Sequence, residues 1–195
     1  MRSWLLDSNE SVNMNNRYNL LSFLHLVIHV LIHDLKYRIK PVILFGFSNF
    51  LPDLLVFGIL RPFLWRLAGV DIPLFGHCVI RKDVWVDHPE KLKIGNNVQI
   101  NRGTTISAHG GVTIMDDVTL SFYVGIHSLS HKGLKHEIDV LKPVSIGSGS
   151  IIYSHAVILP GTIVGSNCVV GAGALAKGDI KSGSKVINFL PKIDI

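Results

Sequence analysis

The stretch that decides the fold is residues 144–175, which read V-S-I-G-S-G-S-I-I-Y-S-H-A-V-I-L-P-G-T-I-V-G-S-N-C-V-V-G-A-G-A-L. Aliphatic or small residues recur there at every sixth position, namely Ile146, Ile152, Ile158, Val164, Val170 and, one residue further on, Ala176. This period matches neither an amphipathic helix, which repeats about every 3.6 residues, nor an alternating strand, which repeats about every two. It predicts a parallel β-helix, in which each short strand and its turn form one side of a coil and the recurring residue points inward.

The same pattern extends upstream, with insertions. Inward positions are predicted at Ile72, Ile80, Val86, Ile94, Ile100, Ile106, Ile114, Leu120 and Ile126. Residues 130–143 then break the repeat with a segment rich in charge and histidine, and Pro143 returns the chain to it. A polar excursion from a regular scaffold is where repeat proteins usually carry function.

Composition limits the possible functions. The 195 residues, 48% of them hydrophobic, are enough for one or two domains with a sizeable core. The net charge of +5 suits anionic ligands or an anionic membrane face. Because no basic run is interleaved with aromatics, nucleic-acid binding is not expected. Cys78 and Cys168 each lie at or beside a repeat position, which predicts core residues without a disulfide and indicates a reducing compartment.

The N-terminal third is apolar and predicted to be helical. Residues 1–19 form a polar leader that lacks the features of a secretory signal peptide. A helix is predicted over 20–39 and is expected to end at Pro41, since the residue before proline avoids the α region. Its apolar run of about fourteen residues is shorter than the roughly 20 needed to span a bilayer. A second apolar segment follows, and Gly69 is predicted to end the last helix.

Two interpretations of residues 20–69 remain open. Phe63 and Trp65 beside Arg61 and Arg66 suit a membrane interface, where apolar rings and cations meet lipid headgroups. The other interpretation is a helical cap packed on the β-helix or on a neighbouring subunit. Three histidines at helical spacing could ligate a metal, but the polar edge of an apolar helix is preferred for His25, His29 and His33.

Residues 70–187 resemble the hexapeptide-repeat acyltransferases, in particular the sugar O-acetyltransferases. The matching stretches are H-P-E-K-L-K-I-G-N-N-V (88–98), V-T-I-M-D-D-V-T-L-S (112–121), S-H-K (130–132) and K-P-V-S-I-G-S-G-S-I-I-Y-S-H-A-V-I-L-P-G-T-I-V-G (142–165). The resemblance implies an all-β, left-handed parallel β-helix that assembles as a homotrimer and binds acetyl-CoA between subunits. The apolar lead-in, residues 50–72, resembles relatives encoded for bacterial surface polysaccharides.

The resemblance also implies catalytic and acceptor-binding residues. His131, preceded by Ser130, falls on the family's general base; an imidazole can accept the proton of a sugar hydroxyl at neutral pH. His127 and His136 are the alternative bases. Asn101 matches an asparagine that contacts the acceptor sugar, and a simple turn asparagine is the other interpretation.

For the acyl donor, the resemblance points to five residues. They are Ser154, Gly171, Ala172, Gly173 and Lys177. The repeat alone also favours small turn residues, so the glycines and the alanine have a structural explanation as well. Ile151, Tyr153, Lys177-Gly178 and residues 188–192 depart from the family pattern and affect the detail of coenzyme binding.

The sequence therefore predicts an acetyl-CoA-dependent O-acetyltransferase acting on a sugar hydroxyl of a bacterial surface polysaccharide or its precursor. No metal is expected, and the expected location is the cytoplasm, including the inner face of the cell membrane. The alternatives are N-acylation of an amino sugar nucleotide, a serine acetyltransferase-like activity, a metal-dependent carbonic anhydrase and an inactive scaffold.

Overall fold

The structure is a computed structural model and describes residues 20–132 and 138–187. The polar leader (1–19), the tail (188–195) and residues 133–137 of the excursion, including His136, lie outside the described residues.

Within the described residues, three α-helices precede the repeats. They are α1 (Leu20–His33), α2 (Ile39–Phe50) and α3 (Leu55–Ala68), and a π-helical segment, Asp34–Arg38, joins the first two. The prediction that Pro41 ends the first helix is therefore wrong, because the helical chain continues to Phe50. A proline inside a helix removes one hydrogen bond and crowds the carbonyl four residues earlier, and the wider π turn lies at that point. Gly69 ends α3 in a left-handed conformation with φ of 111°, as predicted.

The remaining chain winds into a three-sided parallel β-helix. Sheet I contains β1 (Val79–Ile80), β4 (Gln99–Ile100), β7 (Thr119–Leu120), β12 (Ile151–Ile152), β15 (Val169–Val170) and β18 (Lys185–Val186). Sheet II contains β2 (Trp85–Asp87), β5 (Thr105–Ser107), β8 (Gly125–His127), β13 (Val157–Ile158) and β16 (Leu175–Ala176). Sheet III contains β3 (Leu92–Ile94), β6 (Val112–Ile114), β11 (Val144–Ile146), β14 (Ile163–Val164) and β17 (Asp179–Ile180). A 3-10 turn, Pro89–Lys91, lies between β2 and β3.

The predicted inward positions form the core. Every one of the fifteen predicted inward residues between Ile72 and Ala176 is at most 8% exposed. Both cysteines are buried and free. The close approach of successive coils also explains a glycine: a Cβ on Gly147 would lie 2.6 Å from the backbone of Gly165 in the next coil. The six-residue period is therefore confirmed as the register of the solenoid.

One antiparallel hairpin interrupts the coils between sheets II and III. It consists of β9 (Leu129–Lys132) and β10 (Ile138–Leu141), paired so that His131 lies opposite Asp139. The predicted excursion at 130–143 is thus a hairpin over its described residues, and it leaves the solenoid directly after β8.

The helices cap the first coil. Arg61 is fully buried and donates to the backbone carbonyls of Ser48, Ile80, Leu51 and Pro52 at 2.9–3.1 Å. Trp65 is 1% exposed and packs edge-to-face on Phe45, with ring centroids 5.3 Å apart. For these side chains the structure supports the cap interpretation, since neither the guanidinium nor the indole reaches the surface.

Other side chains of the helices remain exposed. The large apolar residues that are 50–62% exposed include Phe23, Ile28, Leu31, Ile32, Leu35, Val42, Ile43, Phe47, Leu55, Val56, Ile59 and Leu67. An apolar groove of about 430 Å³ between α2 and α3 is lined by Ile39, Lys40, Ile43, Leu44 and Leu67. In the described part of the chain, no helix is both long and apolar enough to cross a membrane.

Candidate active site

Sheet II separates two edges of the solenoid that carry the predicted site residues. The I–II edge is the set of turns where the chain passes from sheet I to sheet II, and the II–III edge is the set where it passes from sheet II to sheet III. Because successive coils stack in register, residues far apart in sequence lie in columns along each edge.

Asn101 lies on the I–II edge and is half-buried. Its side-chain amide donates to the carbonyl of Leu120 at 2.9 Å, and its backbone N–H donates to the same carbonyl at 3.0 Å. Ser121 occupies the equivalent place in the next coil. The turn role of Asn101 is therefore visible in the structure, and its position on the edge also fits an acceptor contact.

Four of the predicted donor-binding residues lie further along the same edge. The Gly173 N–H donates to the carbonyl of Ser154 at 2.9 Å, which stacks the two turns. Ala172 and Gly173 are exposed, whereas a Cβ on Gly171 would come within 3.2 Å of the carbonyl of Val186. Gly171 is thus explained by the approach of the last coil, while Ser154, Ala172 and Gly173 present a surface of small side chains.

His131 and Ser130 lie on the opposite, II–III edge. Both are exposed and sit in β9, the first strand of the hairpin. Lys177 is also on this edge, immediately after β16, and is exposed. The structure therefore places the predicted base and the predicted phosphate-binding lysine together on one edge, away from the other predicted donor-binding residues.

His127 lies on the outer face of sheet II, between the two edges. It pairs in register with Ser107 and is half-buried. A Cβ on Gly125 would lie 3.2 Å from His127 Nε2, so the imidazole leans over the glycine. His127 therefore remains close enough to the excursion to stay an alternative base.

A cluster that the sequence interpretation missed lies on the II–III edge. The His88 and His109 rings stack with centroids 4.0 Å apart and an interplanar angle of 27°. The carboxylate of Asp87 accepts from the Ala108 N–H and from the Ser107 hydroxyl, at 2.6 and 3.0 Å. The His88 Nδ1 is buried without a hydrogen-bond partner and lies 3.5 Å from an Asp87 oxygen.

Burial and neighbouring charges both act on the imidazole of His109, with Asp87 opposing the other groups. Burial lowers the pKa of His109, and the charges of His88 and Lys91 lower it further. The Lys91 ammonium donates to the His109 carbonyl at 2.8 Å. The only sequence signal for the cluster was the pair of histidines that follow β2 and β5. Because Asp87 pairs with Ser107, His88 aligns with Ala108 and not with His109. No group of three or more candidate metal ligands occurs within 20–132 and 138–187.

The separation of the two edges limits how the site can be assembled. The strand between them, from Val124 to Ser128, spans roughly 13 Å at about 3.3 Å per residue. A single hydroxyl group cannot contact Asn101 on one edge and His131 on the other across that distance. Within one chain the predicted base and the predicted acceptor contact are therefore not brought together.

Comparison with known proteins connects this architecture to a family. The model of the bacterial transferase hexapeptide (six repeats) matches residues 143–178. Galactoside O-acetyltransferase from Escherichia coli K12 is 30% identical over 113 residues, which are 52% of this chain and 55% of that protein. A putative lipopolysaccharide biosynthesis O-acetyl transferase from the same strain is 26% identical over 202 residues, 93% of this chain and 92% of that protein.

A solved structure shares the fold. The hexapeptide-repeat acetyltransferase from Vibrio cholerae O1 biovar eltor, complexed with acetyl-CoA, superposes with a TM-score of 0.63 at 19% identity, over 80% of this chain and 88% of that one. The predicted left-handed parallel β-helix is thereby confirmed. The chain is similar to hexapeptide-repeat transferases in its sequence over residues 143–178 and in its fold. It spans about half the length of the galactoside enzyme that it matches.

Proposed function

We propose that the protein is an acetyl-CoA-dependent O-acetyltransferase that acts on a sugar hydroxyl of a bacterial surface polysaccharide or of its precursor. The observation that carries the proposal is the arrangement of two features around sheet II. The I–II edge is a column of stacked turns with small residues, and His131 lies at the start of the hairpin that leaves the same sheet. Relatives named as galactoside and lipopolysaccharide O-acetyltransferases support it.

The I–II edge fits the extended arm of acetyl-CoA. Ala172 and Gly173 are exposed and carry at most one side-chain carbon, so a ligand can lie against their backbone. Ser154, half-buried one coil away, supplies a hydroxyl at the same edge. A backbone N–H or this hydroxyl would stabilise the negative oxygen that develops as the acyl carbon is attacked.

His131 acts as the general base. Its imidazole accepts the proton of the acceptor hydroxyl while the hydroxyl oxygen forms a bond to the acetyl carbon and the carbon–sulfur bond breaks. The released thiolate takes a proton, so the products are an acetyl ester and free coenzyme A. Cys78 and Cys168 are buried, and burial raises the pKa of the Cys78 thiol, which argues against a cysteine-bound acyl group.

The assembly follows from the separation of the edges. Because His131 and the I–II edge lie on opposite sides of sheet II, a complete site needs the II–III edge of one copy against the I–II edge of another. A cyclic trimer provides three equivalent interfaces of this head-to-tail kind. Lys177 on the II–III edge would then face the coenzyme phosphates bound to the neighbouring copy.

The exposed apolar surface of α1–α3 would hold the enzyme at the membrane where lipid-linked precursors are made. Exposed Arg38 and Lys40 lie beside this surface and would pair with anionic headgroups. The relative named for lipopolysaccharide biosynthesis matches this chain over 93% of its length, and a match of that extent includes the apolar segment.

The proposal is tested with the purified full chain, acetyl-CoA and four acceptors: a galactoside, maltose, an amino sugar nucleotide and serine. We expect acetyl esters on a sugar, detected by mass, with matching release of thiol. His131→Ala should lower kcat by about 100-fold to 10,000-fold, the usual contribution of a general base. His77→Asn, a substitution at an exposed turn histidine far from both edges, is the matched control. Acetylation of serine or of an amino group alone, or full activity of His131→Ala, would contradict the proposal.

A further inference from the structure

An aromatic cluster lies on the I–II edge and is largely exposed. Phe122 and Tyr123 occupy the turn of one coil, and Tyr153 and His155 flank Ser154 in the next. Phe122, Tyr123 and Tyr153 are 50, 54 and 45% exposed. We call these four residues the aromatic platform. Along this edge they lie between Asn101, the proposed acceptor contact, and Ala172 and Gly173, the proposed coenzyme contacts.

The turn geometry does not explain the tyrosine. The turn position that Tyr123 occupies requires positive φ, 57° here, and the equivalent positions of neighbouring coils hold Asp83, Gly103, His155 and Gly173. Asn, Asp, His and Gly adopt this conformation with little strain, whereas a bulky residue there is uncommon. Within the described residues, Tyr123 is the only positive-φ residue that is not Asn, Asp, His or Gly. Backbone strain of this kind is concentrated at functional sites.

Two rings of the platform, those of Tyr123 and His155, support each other. The Tyr123 ring stacks on the His155 ring with centroids 5.1 Å apart and an interplanar angle of 8°. On its other side the Tyr123 ring occupies the place that a side chain at position 103 would need, since a Cβ on Gly103 would overlap it. The Tyr123 ring is therefore held between its neighbours, so a ligand that contacts its exposed part causes little loss of side-chain entropy.

Polar groups surround the platform. Arg102, half-exposed, lies in the coil before Phe122 and donates to Asp83 through Nε and an Nη at 2.8 and 2.7 Å. Asn101, Ser121 and Ser154 line the adjacent columns. Flat rings combined with amide, guanidinium, carboxylate and hydroxyl groups match the chemistry of a sugar, which has an apolar C–H face and a rim of hydroxyls.

We propose that the aromatic platform is the subsite that binds the acceptor glycan, with Phe122 and Tyr153 stacking on the faces of its pyranose rings and Tyr123 contacting them through the exposed part of its side chain. This inference rests on the proposed acetyl transfer and adds the residues that bind the acceptor and the length of glycan that they bind. Two coils at about 4.8 Å each make the platform roughly 10 Å long, room for two sugar units. The acceptor is therefore an oligosaccharide or polysaccharide segment, and one sugar of it lies at the thioester while its neighbour stacks on the rings.

The first experiment measures sugar binding without acetyl-CoA. Saturation-transfer NMR is recorded on the full chain with methyl galactoside, lactose, methyl glucoside and maltose as probes. We expect the ring C–H protons to be saturated more strongly in lactose than in methyl galactoside, and more strongly in maltose than in methyl glucoside. Phe122→Ala and Tyr123→Asn should remove that difference, and Asn is chosen because it suits the positive φ. Phe75→Ala, at an aromatic that is 85% exposed outside this edge, is the control.

The second experiment separates the two substrates kinetically. Phe122→Ala should raise the KM of a disaccharide acceptor by about tenfold, the factor that corresponds to one aromatic stacking contact, and change the KM of acetyl-CoA less than about twofold. A rise in the KM of acetyl-CoA instead would assign the platform to the coenzyme. A change of oligomeric state alone would assign it to a subunit contact. Either result overturns the inference, as does an absence of saturation with every sugar. Absence of acetyl transfer by the unmodified protein despite sugar binding would instead contradict the proposed function.

Discussion

Arg61 joins the helical segment to the β-helix through a single buried side chain. Its guanidinium satisfies four backbone carbonyls, which belong to the end of α2, the following turn and β1. A guanidinium has five N–H donors in a rigid plane, so no other side chain can replace this set of bonds. Burial lowers the pKa of Arg61, opposed by the charge of Asp53.

Arg61→Met is therefore expected to destabilise the protein strongly. It leaves several buried carbonyls without donors, at a cost of about 1–3 kcal/mol for each group left unpaired. Arg66→Met, on the same helix but with a side chain that is 49% exposed, should cost less than about 1 kcal/mol. Urea unfolding of both variants measures the difference, and equal losses for the two would contradict the role of Arg61 as the link.

The lowered pKa of His109 predicts how the stability of the fold depends on pH. Its pKa is lowered below 6.5 in the folded state, so the unfolded chain binds this proton more readily than the folded one. The contribution to stability is complete above about pH 6.5 and is lost as the pH falls through the lowered folded-state pKa. The melting temperature should fall between pH 7.5 and 5.5, and His109→Asn should reduce that fall. A fall of the same size in the variant would assign the effect to other groups.

The helices α1 and α2 carry exposed apolar side chains, and we propose that these side chains contact the membrane. Ile43→Glu and Phe47→Glu should each weaken binding to phosphatidylglycerol vesicles by about tenfold, because each removes one large apolar contact with lipid. Ile163→Glu, at a 52% exposed position on the outer face of sheet III, is the matched control. Vesicle flotation measures the bound fraction. If the unmodified protein did not float, or if all three variants floated equally well, these helices would not be the membrane contact.

The elements also show what can be predicted from the sequence and why. The inward residues from Ile146 to Ala176 were predictable because a coil of fixed size repeats its local geometry, so spacing alone determines which side chains point inward. The helix through Pro41 was not, because the π turn before it depends on the packing of the whole segment. The stack of His88 on His109 was not predictable from the spacing, because the two residues are not equivalent in their coils: Asp87 pairs with Ser107, so His88 aligns with Ala108.

The candidate site was predictable only in part. Resemblance pointed to Asn101 for the acceptor and to Ser154 and Gly173 for the coenzyme, and these roles stay predictions. The three residues lie on one edge because residues in equivalent turns of a solenoid stack. It did not reveal that His131 lies across sheet II from them, because this follows from the order of the three sheets and not from any local pattern. The aromatic platform escaped prediction because an exposed tyrosine in a turn has no signature in the spacing of the repeat.

If the active site is shared between copies of the chain, two inactive variants should restore activity to each other in mixed trimers. His131→Ala lacks the base, and Ala172→Trp fills the exposed I–II edge where the coenzyme would lie. Each variant alone should be inactive. In mixed trimers from co-expression, about one interface in four combines an intact base with an intact edge, so roughly a quarter of the activity should return. Activity at the background of the single variants would indicate a site contained within one chain.

If this β-helix transfers acetyl groups to a surface glycan with His131 as the base, the acetylation of that glycan must depend on the protein and on this histidine. Mass spectrometry of the surface glycan measures this dependence in cells that make the unmodified protein, the His131→Ala variant or neither. We expect one class of sugar residue to gain a single O-acetyl group only in cells with the unmodified protein. An identical acetylation pattern in all three would contradict it.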